Sequence, residues 1–230
     1  DILLEDDEMQ DSFIQVDEIQ ETPDLNCGFD SFAAVNPKDI KELVSKMSNK
    51  FCCLDPIPTF LLKTCVDELS PILLHILNTS VTTGCFPAAM KNAVIKPTLK
   101  KDNMLSNYRA VSNLTAVSKL LQRVVLNQLN DYINSNDLYC PVQSGYRPHH
   151  SCETLLVRMT DDINREIQAD KIVIVVLLDL SAAFDTIDHD ILLEKLLKDY
   201  GVSGNVLLWM KSYLQNRYYC VKIGDTISSL

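Results

Sequence analysis

The sequence predicts a mixed α/β (α+β) fold in which helices flank a small number of strands. Most segments between residues 36 and 215 carry apolar residues at the three- and four-residue spacing of an amphipathic helix. Short runs rich in Val and Ile lie between these segments and indicate strands. No internal repeat is apparent along the chain, so a repeat architecture is not expected.

Residues that start or stop helices mark the boundaries of the predicted helices. Asn36-Pro37 is a strong helix start, and apolar residues follow it at helical spacing as far as Met47. Gly84 and Pro87 end the pair of apolar helices that comes next. After this first helix, the predicted helices span about residues 59–66, 71–82, 115–134, 152–169, 188–200 and 204–215.

Four segments are predicted to be strands. Residues 93–99 and 108–112 form a hairpin with a long polar loop, and residues 218–223 form a final strand. The run Ile172–Leu178 is unbroken by any polar residue and ends in Asp179. Such a run is typical of a central strand that is buried on both faces.

The charge of the chain is unevenly distributed. The net charge is −10, but ten of the 31 acidic residues lie within residues 1–24, which contain no Lys or Arg. The remaining 21 acidic residues balance the 21 basic ones, and residues 91–123 carry a local charge of +6. This basic segment would attract a phosphate-bearing partner, with an ordinary solvated surface as the alternative.

Cysteine spacing and polarity indicate the compartment. Eight cysteines follow no disulfide or zinc spacing, which predicts a reduced, intracellular protein of the nucleus or cytoplasm. A zinc site at Cys152 is disfavoured because His149 and His150 are adjacent and give poor ligand geometry. The uncharged stretch Ser70–Met90 is too polar for a membrane span, and no signal peptide is visible in a chain that begins at Asp1.

Asp179 is the first candidate for chemistry. A carboxylate at the exit of a hydrophobic strand is held rigidly and aimed outward, which suits a hard cation such as Mg²⁺. The main-chain carbonyl of Leu180 can add a further oxygen ligand. The alternative is that Asp179 simply ends a strand and that Asp185 or Asp188 caps the next helix.

Five segments resemble, in the same order, the reverse transcriptases of LINE-type (jockey-like) non-LTR retrotransposons. The segment LDLSAAFDTIDHDIL, residues 178–192, resembles the first palm motif of that family. The other matching segments are LDPIPTFLLK (54–63), GCFPAAMKNAVIKPTLKK (84–101), NYRAVSNLTAVSKLLQRVVLNQL (107–129) and VQSGYRPHHSCETLL (142–156). Five ordered segments are far more specific than one short motif, and the acidic residues at the start lie outside the match.

The resemblance implies a role for individual residues. Asp179 would be the first catalytic aspartate and, with the carbonyl of Leu180, a ligand of Mg²⁺ in two-metal nucleotidyl transfer. Phe184 would be the steric gate that excludes a ribose hydroxyl. The remaining implied residues are Arg109, Lys100 and Lys101 at the triphosphate of the dNTP, Ala182 and Ala183 at its sugar, and Gln143 and Arg147 near the template.

The resemblance also implies an organisation into domains. Residues 1–35 would be an acidic, disordered linker, residues 36–170 the fingers of a right-hand polymerase, and residues 171–230 the first part of its palm. The chain ends before the family's Gly-rich motif and Asp-Asp turn, so a palm cut off before completion, inactive by itself, is expected. In the family a proline usually follows the hairpin arginine, whereas here Ala110 does.

Two functions follow from these expectations. The first is RNA-directed DNA synthesis in the complete protein, with an RNA template, a DNA primer, dNTPs and Mg²⁺, and without a membrane. The alternative is a non-catalytic remnant that at most binds nucleic acid through residues 91–123.

Overall fold

The computed structural model describes residues 28–50, 52–99, 108–180 and 183–228. The elements within these ranges are helices α1 (Pro37–Ser45), α2 (Thr59–Thr64) and α3 (Val66–Thr83), strands β1 (Asn92–Leu99) and β2 (Tyr108–Asn113), helices α4 (Ala116–Ser135), α5 (Cys152–Gln168), α6 (His189–Lys198) and α7 (Gly204–Leu214), and strands β3 (Tyr218–Ile223) and β4 (Thr226–Ile227). The mixed α/β class is therefore confirmed. None of the helices in these ranges is long and apolar enough to cross a membrane.

Helix α1 begins where the sequence predicts it. The Asn36 side chain accepts hydrogen bonds from the backbone N–H groups of Lys38 and Asp39, and the Asp39 carboxylate accepts the N–H of Asn36. This reciprocal arrangement satisfies backbone donors that a helix start otherwise leaves unpaired. Pro37 takes the first helical position, where its missing N–H costs nothing.

Helix α3 begins earlier than the sequence indicates. The predicted start at Pro71 is wrong, because the helix starts at Val66 and contains the proline. Val66 and Leu69 pack against the main core, so burial extends the helix through a residue that usually interrupts one. The predicted end is confirmed, since Gly84 adopts the left-handed conformation (φ +64°) that closes the last turn.

The main core lies between α1, α3, α4 and α7. Leu77, Leu121 and Trp209 are almost completely buried in it. The Trp209 ring stacks on Tyr213 at 5.2 Å between centroids, and its indole N–H donates to Ser80 Oγ at 3.0 Å. A polar partner for the indole allows this large side chain to be buried without an unsatisfied donor.

Phe29 and Val35, at the end of the predicted linker, contact the helices. Phe29 stacks on Tyr132 with ring centroids 5.0 Å apart. The backbone N–H of Val35 donates to the Asn78 side chain at 2.8 Å, and the Asn78 amide donates back to the Val35 carbonyl at 3.0 Å. Phe32 and Val35 of this segment therefore pack in the main core, and residues 1–27 lie outside the described ranges.

The sheet has the strand order β2-β1-β3-β4. Strands β1 and β2 form the predicted antiparallel hairpin, with Thr98 opposite Arg109. Strand β3 pairs with β1 in parallel, and the two-residue strand β4 was not predicted. Cys52, Val94 and Cys220 form a small core against this sheet, where burial raises the pKa of the Cys52 thiol. That thiol serves as a small apolar side chain.

The predicted central strand at Ile172–Leu178 is wrong for the described chain. Residues 171–180 have no regular secondary structure, and Ile172 and Leu178 are 94% and 89% exposed. A strand buried on both faces needs neighbouring strands and covering helices, and no strand within the described ranges pairs with this run. Helix α5, which directly precedes it, also buries none of its described residues.

Candidate functional site

Asp179 stands at the end of the exposed apolar run. Its side chain is exposed, and Leu180 beside it is 77% exposed. The chain then turns at residues 183–186 and enters α6, where the Asp188 carboxylate accepts the N–H groups of Asp190 and Ile191. Asp188 therefore acts as the helix cap that the sequence allowed, whereas Asp179 caps no helix within the described residues.

Phe184 lies in the turn after Asp179 and contacts a second exposed aromatic residue. Its ring meets that of Tyr146 edge to face, with centroids 6.2 Å apart and an interplanar angle of 78°. Phe184 is 73% exposed and Tyr146 is 89% exposed, so the pair projects from the surface rather than filling a core. Tyr146 has a positive φ of 61°, a conformation that is uncommon for an aromatic residue.

The loop that carries Tyr146 is held by the two residues predicted to contact the template. Arg147 Nη1 donates to the carbonyls of Cys140 and Gln143, each at 3.3 Å, and its guanidinium lies 4.9 Å from the Tyr139 ring centroid. The Gln143 amide donates to the Gly145 carbonyl at 3.1 Å. These contacts close the loop that carries Tyr146 on itself.

Arg109 is placed on a different element from Asp179 and Phe184. It lies in β2, which pairs along one side with β1, and its side chain is exposed. The structure therefore brings Phe184 to the loop of Gln143 and Arg147, whereas Arg109 remains with the hairpin. Lys100, Lys101 and Ala182 lie outside the described residues, and Ala183 forms the turn, with its carbonyl accepting the Thr186 hydroxyl at 3.2 Å.

A metal centre is not complete within the described residues. They contain no group of three or more His, Cys, Asp or Glu side chains that could hold a metal ion. Asp179 and the Leu180 carbonyl are oxygen donors of the kind that Mg²⁺ prefers. One carboxylate cannot balance two divalent cations, so the described donor set does not by itself fit a two-metal centre.

The structure divides the predicted basic segment into separate surfaces. Lys91 is only 9% exposed, and its amine donates to the Gln215 carbonyl at 3.1 Å, so it joins α7 to the start of β1. Lys119 and Arg123 lie on exposed positions of α4. The sequence did not single out Lys46 and Lys50, which share a groove with them. In the sequence these two lysines are marked only by their position at and just after the end of the first helix.

Comparisons with known proteins identify relatives over most of the chain. Residues 98–228 match the family model described as reverse transcriptase (RNA-dependent DNA polymerase). The chain is 28% identical to a protein named probable RNA-directed DNA polymerase from transposon BS of Drosophila melanogaster, over 94% of this chain and 24% of that protein. It is 26% identical to the RNA-directed DNA polymerase from mobile element jockey of the same species, over 86% of this chain and 22% of that protein. The jockey protein of Drosophila funebris is also 26% identical, over 85% and 22%.

Proposed function

This chain belongs to the reverse transcriptase (RNA-dependent DNA polymerase) family, and we propose that it forms part of the RNA-directed DNA polymerase of a non-LTR retrotransposon. The observation that carries the proposal is that one family match, from residue 98 to 228, covers both β2 with Arg109 and the segment with Asp179 and Phe184. The named relatives belong to the mobile elements BS and jockey. The chain spans about a quarter of their length, so the activity is proposed for the larger assembly to which these residues contribute.

The proposed roles follow the side chains that the fold leaves available. Asp179 supplies a carboxylate and Leu180 a carbonyl toward Mg²⁺, and both are exposed. Phe184 lies in the turn at residues 183–186, and Ala182 and Ala183 would hold the nucleotide sugar beside its ring. A ring at that place would reject a ribose 2′-hydroxyl by steric exclusion.

The proposed nucleotide and template contacts use the neighbouring elements. Arg109, with Lys100 and Lys101, would bind the triphosphate of the dNTP, because a guanidinium forms paired hydrogen bonds with phosphate oxygens. Gln143 and Arg147 would position the loop that faces the RNA template and DNA primer. In this scheme residues 36–170 correspond to the fingers and residues 171–230 to the first part of the palm.

A second candidate function is nucleic-acid binding without catalysis. The observation that favours it is the single candidate carboxylate at Asp179 within the described residues. As the 230-residue chain stands, we expect no template-dependent incorporation of dNTPs with either Mg²⁺ or Mn²⁺. The codons that follow in the same reading frame discriminate the two functions: a Gly-rich segment and an Asp-Asp turn support an enzyme, and an early stop supports a remnant.

The test is RNA-templated primer extension. The chain is expressed together with the sequence that follows it in its reading frame, hereafter the extended protein, and is given a DNA primer annealed to RNA. We expect dNTP incorporation that follows the template sequence and stops at the template's 5′ end. Incorporation that ignores the template, or none in the extended protein with an intact Asp-Asp turn, would contradict the proposal.

A further inference from the structure

A groove with a one-sided charge lies between α1 and α4. Its volume is about 670 Å³, and the cationic residues that line it are Lys46, Lys50, Lys119 and Arg123. No Asp or Glu is among its lining residues, and its apolar lining includes Leu43, Met47 and Leu126. The groove therefore suits an occupant that combines negative charges with apolar side chains.

The described residues neutralise little of the charge in this groove. Lys46 pairs with Glu42 at 2.5 Å, but both side chains are more than 60% exposed, where such a pair contributes little. Lys50 and Arg123 are exposed and form no ion pair within the described part of the chain. Convergent like charges repel one another, so a negatively charged occupant would stabilise the arrangement.

The beginning of the chain has the composition of such an occupant. Residues 1–24, hereafter the acidic segment, carry ten acidic residues and no Lys or Arg, and they lie outside the described ranges. The part of it nearest to the described residues is VDEIQETPD, residues 16–24. Four carboxylates are interspersed there with Val16 and Ile19. The acidic segment therefore complements both the charge and the apolar lining of the groove.

The structure attaches the acidic segment to a helix that lines the groove. Phe29 stacks on Tyr132 of α4, and its backbone N–H donates to the Gly201 carbonyl at 3.0 Å. Gln128, also on α4, accepts the N–H of Ala33 at 2.8 Å and donates to the Ala33 carbonyl at 3.0 Å. These contacts hold the residues that directly follow the acidic segment against the C-terminal half of α4, and the cations of α4 lie in its N-terminal half.

The acidic segment is long enough to reach those cations. Tyr132 and Lys119 are 13 positions apart on α4, which is about 20 Å at 1.5 Å per residue. An extended chain covers about 3.3 Å per residue, so roughly six of the residues before Phe29 span this distance. Carboxylates from Glu21 back to Asp17 can therefore enter the groove. Because the segment belongs to the same molecule, its effective concentration there is on the order of millimolar, which populates even a weak contact.

We propose that the acidic segment occupies the groove between α1 and α4 of the same molecule, with the carboxylates of residues 17–24 on Lys50, Lys119 and Arg123. The contact neutralises the groove, so the segment competes with any other anion for this surface. The proposal goes beyond polymerase activity, because it requires neither Asp179 nor the contacts proposed for the nucleotide.

Carbodiimide cross-linking of the 230-residue chain tests this proposal. The reagent joins a carboxylate directly to an amine that it contacts, so mass spectrometry of the digested protein shows which lysines the acidic segment meets. Lys50 and Lys119 report on the groove. Lys195 and Lys198 are the proximity controls, because they lie on α6 shortly before Gly201, which holds Phe29, and do not line the groove.

Cross-links from the acidic segment should concentrate in the groove. Those to Lys50 and Lys119 should be at least about fivefold more abundant than those to Lys195 and Lys198, because only the groove combines unneutralised cations with an apolar lining. The groove cross-links should fall at least about threefold between 0.05 M and 1 M NaCl, since salt screens the attraction between exposed charges.

A charge reversal that keeps both reporting amines tests the electrostatic part of the proposal. Arg123→Glu should lower the cross-links to Lys50 and Lys119 at least about threefold, because it places a carboxylate in the groove. The matched control, Lys38→Glu, makes the same change of charge at an exposed residue of α1 that does not line the groove. Its cross-links should stay within about 1.5-fold of the parent. Thermal unfolding shows whether each variant folds, and where Arg123→Glu does not, Arg123→Gln should lower the cross-links at least about twofold.

Three outcomes would overturn the proposal. Equal cross-linking of the groove lysines and the proximity controls would show that the acidic segment only samples the surroundings of its attachment. Equal effects of Arg123→Glu and Lys38→Glu would show that the groove has no special part in the contact. In an equal mixture of ¹⁵N-labelled and unlabelled chains, the two cross-linked peptides should carry the same label, whereas mixed labels in about half of them would show that the groove takes the acidic segment of a second copy.

Discussion

The Phe184 and Tyr146 rings meet edge to face on the surface, with their centroids 6.2 Å apart. The contact joins the turn after Asp179 to a loop 38 positions earlier in the sequence. That loop is closed by Arg147, whose guanidinium bonds two of the loop's carbonyls. The two segments proposed for the nucleotide sugar and for the template are therefore in direct contact, and a change in one should affect the other.

Replacement of Phe184 should relax the choice of sugar. In the extended protein, Phe184→Val should raise the ratio of rNTP to dNTP kcat/KM at least tenfold, because it removes the ring that would meet a 2′-hydroxyl. Steady-state titrations of both nucleotides on an RNA template measure this ratio. Phe60→Val, at another exposed phenylalanine, is the matched control and should leave the ratio unchanged. An unchanged ratio in Phe184→Val would show that Phe184 does not select the sugar and only contacts Tyr146.

Arg109 should contribute through a pair of hydrogen bonds to phosphate. In the extended protein, Arg109→Ala should lower kcat/KM for dNTPs, since a charge-assisted contact to the triphosphate is lost. The decrease should correspond to a loss of about 2–4 kcal/mol of transition-state stabilisation. Arg109→Lys should recover only part of this, because an ammonium cannot reproduce the planar fork. Arg165→Ala, whose guanidinium pairs with Asp161 on α5, serves as the control. Equal kcat/KM values for dNTPs in the parent and in all three variants would show that Arg109 is an ordinary surface residue.

The buried hydrogen bond between Trp209 and Ser80 should be important for stability. Ser80→Ala leaves the indole N–H of Trp209 without its acceptor in the core and removes the hydroxyl that donates to the Cys85 carbonyl at 2.7 Å. The free energy of unfolding should fall by roughly 1–3 kcal/mol. Thr83→Ala, at an exposed hydroxyl on the same helix, should cost less than about 0.5 kcal/mol. Urea unfolding of the 230-residue chain measures both, and equal losses would show that the bond adds nothing.

The exposed apolar run should make the 230-residue chain prone to association. Ile174 and Leu177 are each 83% exposed, so Ile174→Lys/Leu177→Lys should reduce aggregation by placing charges in an exposed apolar segment. The free energy of unfolding should change by less than about 0.5 kcal/mol, because both side chains are largely exposed in the folded chain. Light scattering against concentration measures the effect. Ile72→Lys, at an exposed isoleucine on α3, should not reduce aggregation. An equal reduction by Ile72→Lys would show that the exposed apolar run is not the cause of aggregation.

Local signals in the sequence predicted most of the fold. Asn36-Pro37 and Gly84 each act through backbone chemistry that is complete within a few residues, so the helix boundaries that they predict are confirmed. The predicted pairing of β1 with β2 is confirmed as well. Pro71 and Ile172–Leu178 failed for the opposite reason. In both cases the outcome depends on what packs against the segment: core contacts extend α3 through the proline, and no described strand covers the apolar run.

The candidate site was predictable only as a set of residue types. The sequence pointed to Asp179, Phe184 and Arg109, but it could not show that Phe184 would meet Tyr146 or that Arg147 would close its own loop. It also grouped Lys91 with the other basic residues, although the structure buries that amine against the Gln215 carbonyl. Contacts between segments far apart in the chain depend on packing that no local pattern encodes.

The most direct test of the account is primer extension by the extended protein with Asp179→Asn. The substitution keeps the size of the side chain but removes the negative charge proposed to bind Mg²⁺, so extension should fall by at least about 10³-fold, roughly 4 kcal/mol. Primer–template binding and thermal stability should match the parent, because Asp179 is exposed. Asp185→Asn, at an exposed carboxylate six positions later in the sequence, should retain activity within about threefold. Extension by Asp179→Asn at close to the parental rate would remove Asp179 from the catalytic centre.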